Sequence, residues 1–244
     1  MSIGIIGYGS FGKLLASVLS KQFTVLVYDK HKNPGTEGNI KSVSFEQIAK
    51  CDVLVLAVNL DILEELCREL ADKVLPKTIV IEVCSTKIKP VDILKRNLEG
   101  KCQYLATHPL FGPQSVSDQK TKKIVVCEAN VENKEKIYSF LKQILTLDVI
   151  EMTANEHDKQ MAWVHALTFF VGRGLKELQL SEFELKTDYY QKLLDLVELE
   201  NQHSIELFNT VQLGNPYSEE VREQFVKKLQ DINTRLDGVK NRSR

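Results

Sequence analysis

No apolar run in this 244-residue chain approaches the roughly 18 residues of a membrane-spanning helix, which excludes a helical membrane protein. Neither sign of charge dominates. With 32 basic and 33 acidic side chains the net charge is −1, so the basic excess that holds nucleic acid or an anionic membrane surface is missing. Cysteine is sparse. Cys51, Cys67, Cys84, Cys102 and Cys127 make an odd count with no C-x-x-C pair, so neither a zinc site nor a disulfide framework is expected. Buried free thiols in a reducing compartment fit that usage, and with a strand starting at once after Met1 a cytoplasmic protein is expected. Internal repeats and low-complexity stretches are also missing. The basic last residues, 240–244, read as a solvated tail.

What is present is alternation. β-branched runs at 3–6, 23–28, 53–57, 78–83, 103–107, 123–127 and 149–150 are separated by stretches with apolar residues at three- and four-residue spacing. Helices are expected over 11–20, 60–71, 90–98 and 132–145. Strand–helix alternation predicts a Rossmann-type α/β domain, a mostly parallel sheet with helices on both faces. After Met152 the pattern changes. Thr153 and Glu156 form a capping box, and three long helices are expected over 155–180, 188–212 and 219–236. The boundary is set at about 151: residues 1–151 as a dinucleotide-binding domain, 152–244 as a small helical domain for substrate and dimerisation. Fewer than a hundred residues carrying apolar faces such as Leu193, Leu194, Leu196, Val197 and Leu199 predict packing on a second copy, hence a homodimer.

The first strand runs into Gly7, Tyr8, Gly9, Ser10, Phe11 and Gly12, a G-x-G-x-x-G turn opening a helix. A lone glycine triplet is weak evidence. Here a strand precedes it, a helix follows it, and Asp29 ends the second strand seventeen residues past Gly12. Gly7 allows the tight turn, Gly9 the approach of backbone amides to a pyrophosphate, and Gly12 close helix–strand packing. Ser10 and Phe11 sit in the same turn, where the helix N-terminus favours an anion. Asp29 would accept from the ribose diol and repel a 2′-phosphate, which favours NAD over NADP. Lys30, His31 and Lys32 just beyond it are cations that could hold that phosphate.

The second site is the run Tyr104 to Ser115, in which His108 follows an apolar strand and precedes a Pro-Leu-Phe-Gly-Pro loop. Strand ends of an open α/β sheet are where ligands sit. Near neutral pH an imidazole there suits the base that takes a hydroxyl proton during hydride transfer.

Four segments resemble one family, the prephenate and arogenate dehydrogenases of tyrosine biosynthesis. They are Gly7 to Gly12; Glu82, Ser85 and Lys87, similar to an acidic-x-x-Ser-x-Lys loop; Thr107 to Pro113, similar to a His-Pro-Met-Phe-Gly-Pro signature; and His157-Asp158 with Val171-Gly172-Arg173. The resemblance implies oxidation of a ring hydroxyl by hydride transfer to nicotinamide, with loss of the ring carboxylate and aromatisation. His108 would be the base. Ser85 would hold the hydroxyl, His108 or the nicotinamide. At the start of a helix His157 is expected neutral, contacting ligand or Glu156. His165 and Arg173 follow at eight-residue steps, and Arg173 is the candidate guanidinium for a substrate carboxylate. The chain also departs from the family. Ala166 and Phe169 stand where many members carry a second histidine, and residues 189–207 hold no arginine, leaving Arg173, Lys159 or Arg222 to grip the substrate. Two other readings follow: a related dehydrogenase for a different acid, and a nucleotide-binding regulator without turnover. Ser85 and His108 together speak against the regulator, which needs only the glycine turn.

Overall fold

The computed structural model describes residues 1–32, 35–113 and 122–242. Its chain divides into two compact units, Met1–His157 and Asp158–Arg244. The helix that follows Thr153 starts before that division, because Thr153 and Glu156 cap it reciprocally: Glu156 N–H donates to Thr153 Oγ1 and Thr153 N–H to Glu156 Oε2.

The first unit holds a nine-stranded sheet among the described residues. In chain order its strands are β1 (Ile3–Ile6), β2 (Val25–Tyr28), β3 (Thr36–Glu37), β4 (Ile40–Ser42), β5 (Val53–Leu56), β6 (Ile79–Glu82), β7 (Gln103–Pro109), β8 (Lys122–Asn130) and β9 (Leu147–Glu151). Their spatial order is β3-β4-β2-β1-β5-β6-β7-β8-β9. β1 pairs in parallel with both β2 and β5, Ile3 lying beside Val25 and Val53. The chain therefore reverses its direction of winding between β1 and β5, the switch point at which such sheets bind ligands.

Alternation along the strands supplies two apolar faces. Leu54 and Leu56 join Val80 and Tyr104 under α3 (Leu60–Ala71) and α4 (Ile88–Leu98), whose Leu63, Leu70, Ile93 and Leu94 are buried. On the other face Ile5, Val25, Val27 and Val55 meet Ala16 and Leu19 of α1 (Ser10–Leu19). Farther along, Leu105 and Val126 pack with Tyr138 of α5 (Lys134–Ser139), which continues as a π-helical turn, Phe140–Ile144.

The sheet departs from the expected parallel order in two places. β3 and β4 form a short antiparallel hairpin within the turn-rich stretch after β2. β8 runs antiparallel to β7, with a bulge between Ala106 and Thr107. Twelve residues join β7 to β8, and an antiparallel return needs no crossover connection. A short helix between β4 and β5, α2 (Phe45–Ile48), also escaped the reading; it carries its own Ser44–Gln47 capping box.

The helical region opens with α6 (Ala154–Met161), passes through a π-helical stretch, Ala162–Leu167, and continues as α7 (Thr168–Glu177). The helix expected over 188–212 is two helices, α8 (Asp188–Asn201) and α9 (Ile205–Leu213). Ser204 breaks it, because its side chain accepts from Leu207 N–H and so caps a new helix. The last helix, α10 (Ser218–Arg242), runs longer than expected at its C-terminal end. Gly172 lets α7 approach α8 closely: a Cβ there would lie 3.3 Å from the Leu196 carbonyl oxygen.

Candidate functional site

The glycine turn between β1 and α1 has the geometry of an anion cradle. Gly7 sits at φ +101°, and a Cβ there would strike the Ala57 carbonyl oxygen, so no other residue fits. A Cβ on Gly12 would strike the Gly7 carbonyl. Beyond Gly9 the space is open, with nothing within 4 Å of where a Cβ would lie. Gly9 is also the N-cap of α1, and it brings no side chain to the first turn, which holds no acidic residue. Exposed Ser10 and half-buried Phe11 start the helix. Amides at the positive end of a helix, uncapped by any side chain at the N-cap, suit a pyrophosphate. The residues present therefore fit a dinucleotide.

Asp29, just past β2, closes this turn. Its Oδ2 accepts from Tyr8 N–H at 2.6 Å, and its Oδ1 from His31 and Lys32 N–H, both at 2.9 Å. Partial burial pushes the carboxyl up, but those backbone donors and the Lys32 charge more than offset it and hold Asp29 below the usual carboxylate range. Three of about four acceptor positions are thus filled by backbone, leaving room for one further donor such as a ribose hydroxyl. Beside it lies a depression of about 210 Å³ lined by Tyr28, Asp29, Val58, Ile62 and Leu66 among others, apolar enough for a flat base.

The other strand ends carry the remaining candidate groups. Ser85 lies three residues beyond β6, and His108 lies near the end of the adjacent parallel strand β7, so both face the same edge of the sheet as the glycine turn. A buried ion pair fastens the two strand ends together. Lys87 Nζ donates to Glu82 Oε2 and, at 2.6 Å, to the Thr107 carbonyl oxygen. Glu82 also accepts from Cys84 N–H, and Thr107 Oγ1 donates to the Glu82 carbonyl at 2.8 Å. Both charged side chains are fully buried. Burial pushes the Glu82 carboxyl up, while the Lys87 ammonium and the Cys84 hydrogen bonds pull it back. Burial and then the Glu82 charge raise the Cys84 thiol, which makes it an inert core residue. The loop after β7 reaches the glycine turn: the Phe111 and Phe11 rings lie 6.2 Å apart.

His108 is buried, and its Nδ1 lies 2.9 Å from Nε2 of His157, itself buried in the first turn of α6. The rings meet edge to face at 74°. Sequence spacing gave no sign of this pairing, since 49 residues separate the partners.

In the second unit, Arg173 Nε donates to Glu200 Oε1 at 2.7 Å, its Nη2 pairs with the same oxygen at 2.5 Å, and the guanidinium lies over the Phe208 ring. Glu200 is buried, and its Oε2 has no hydrogen-bond partner among the described residues. Phe169 contacts His165 edge-on and stacks on His203, each at 4.3 Å. Neither Glu200 nor His203 was singled out in the sequence. Both lie around the break between α8 and α9, which was read as continuous helix. Of the other candidate cations, Arg222 donates to Gln212, and Lys159 lies over the Tyr217 ring. Among the described residues no cluster of metal-ligating side chains is present, and no helix is long and apolar enough to cross a membrane.

Residues 20–146 match the family described as Prephenate dehydrogenase, nucleotide-binding domain, and residues 174–244 match TYRAAT1-like, C-terminal domain. Among curated relatives, Arogenate dehydrogenase 1, chloroplastic, of Arabidopsis thaliana is 28% identical over 98% of this chain and 39% of its own length. A Probable arogenate/prephenate dehydrogenase of Methanocaldococcus jannaschii is 27% identical over 100% of this chain and 58% of its own length. The chain thus spans less than two thirds of the length of both relatives. The prephenate dehydrogenase of A. aeolicus, solved with hydroxyphenyl propionate and NAD+, shares the fold at a TM-score of 0.71 and 18% identity, covering 96% of this chain and 90% of that one.

Proposed function

The chain belongs to the prephenate dehydrogenase family, and from that premise we propose that it catalyses the NAD-dependent oxidative decarboxylation of prephenate or arogenate. One observation carries the reading: a buried histidine at the C-terminal end of β7, its Nδ1 engaged by a second histidine, on the sheet edge that bears the glycine turn. Bound at the glycine turn, NAD would supply the hydride acceptor for the carbinol carbon of the substrate ring. His108 takes the hydroxyl proton through Nε2. Ser85, on the neighbouring loop, holds that hydroxyl in line. The ring carboxylate leaves as carbon dioxide, and its bonding pair completes the aromatic ring.

Asp29 supports NAD over NADP, because a carboxylate at the ribose repels a 2′-phosphate. His165 and Arg173 are the proposed contacts to the substrate's carboxylates. A homodimer joined through the helical region is proposed as well. A second reading keeps the hydride chemistry but changes the acid, and it is favoured by the ion pair that already neutralises Arg173. Initial rates of NADH formation with prephenate and with arogenate test the proposal. Turnover of either acid supports it. NAD binding without turnover of both acids would favour the second reading.

A further inference from the structure

The contact between His108 Nδ1 and His157 Nε2 fixes more than a distance. Two imidazoles can share it only if one nitrogen donates and the other accepts. A donating His157 Nε2 would make His108 Nδ1 the acceptor and leave the His108 proton on Nε2. That ring could not take a proton where a substrate would offer one. A donating His108 Nδ1 leaves Nε2 without a proton, which is the tautomer a base needs. A cationic His157 would donate from both nitrogens and impose the wrong arrangement.

We propose that His157 is a positioning residue that accepts from His108 Nδ1–H, holding the base in its Nδ1–H tautomer with Nε2 presented for proton abstraction. This rests on the reading of His108 as the base of a hydride-transfer reaction, and it moves His157 away from the substrate-contact role expected from the sequence. The contact strengthens as the reaction proceeds. Once Nε2 takes the proton, His108 is a cation, and its Nδ1–H bond to His157 becomes charge-assisted. An interaction that grows toward the transition state acts on kcat and leaves KM alone.

Two variants separate positioning from mere structure. His157→Gln offers an amide oxygen near the place of Nε2, whereas His157→Leu offers nothing. Ring 15N spectra of the histidine-labelled full chain, with the His108 signals assigned through His108→Asn, read the tautomer without any substrate. The expected result is a protonated Nδ1 and bare Nε2 on His108 in the wild type and in His157→Gln, lost in His157→Leu. In steady state, kcat should fall about 10- to 100-fold in His157→Leu and recover in His157→Gln, with KM and NAD affinity unchanged. A wild-type His108 protonated on Nε2 would overturn the proposal, even if the leucine variant fails to fold. So would a raised KM at unchanged kcat, which would make His157 a substrate contact. A wild type that turns over neither acid would refute the reaction instead, and the tautomer would still decide the role of His157.

Discussion

Asp29 is the residue on which the proposed cofactor choice turns. Its carboxylate closes the glycine turn through Tyr8 N–H, and in the proposed complex it would repel a 2′-phosphate. Asp29→Ser is expected to weaken NAD binding and narrow the preference for NAD over NADP by on the order of tenfold or more, the equivalent of about 1.4 kcal/mol. Calorimetric titration with both dinucleotides checks this, and an unchanged ratio of affinities would remove Asp29 from the ribose. The glycine turn and the place of Asp29 were legible in the sequence because what fixes them is local: a positive φ, a close approach, a strand end. The His108–His157 contact was not. Nothing in a one-dimensional pattern reports which side chains meet across 49 residues, and the same holds for Glu200 under Arg173.

Between elements, the Glu82–Lys87 pair is the device that ties the Ser85 loop to the end of β7. Lys87→Met would leave Glu82 buried without its cation and is expected to cost about 3–5 kcal/mol, visible as a lowered urea midpoint. Adding Glu82→Gln should recover a large part. A Lys87→Met protein as stable as the wild type would show that the pair holds nothing. The break between α8 and α9 makes its own prediction. Burial pulls His203 below its ordinary value of 6.5, and the Glu200 charge only partly restores it. The unfolded chain therefore binds a proton below about pH 6.5 that the native ring resists, so this contribution is intact above that pH and lost as pH falls. The urea midpoint should drop more between pH 7.5 and 5.5 in the wild type than in His203→Asn, and equal drops would contradict the sign. Strands buried on both faces and helices with a single apolar stripe were readable from periodicity. The strand reversal at β8 and the Ser204 cap were not, because neither alters the apolar pattern that periodicity reads.

At the scale of the whole molecule, the second unit buries few apolar side chains. Ala162, Ala166, Phe169, Val211 and Val221 are covered, whereas Leu185, Tyr189, Leu213, Leu229 and Leu236 are exposed. On α10, Phe225, Leu229, Ile232 and Leu236 recur at four- and three-residue steps, the repeat of a helix that packs along another. An interface of roughly 2,000 Å² or more would be expected of an obligate dimer. Sedimentation at micromolar concentration should give twice the 27.8 kDa chain mass, and a monomer would refute the assembly. The central claim is that His108 is the base of an NAD-dependent oxidation. Its most direct test is NADH formation by wild type and His108→Asn on prephenate and arogenate, with NAD affinity measured alongside. The account predicts a loss of about 10² to 10⁴ in kcat with NAD affinity kept. A variant turning over within a few-fold of the wild type would contradict it.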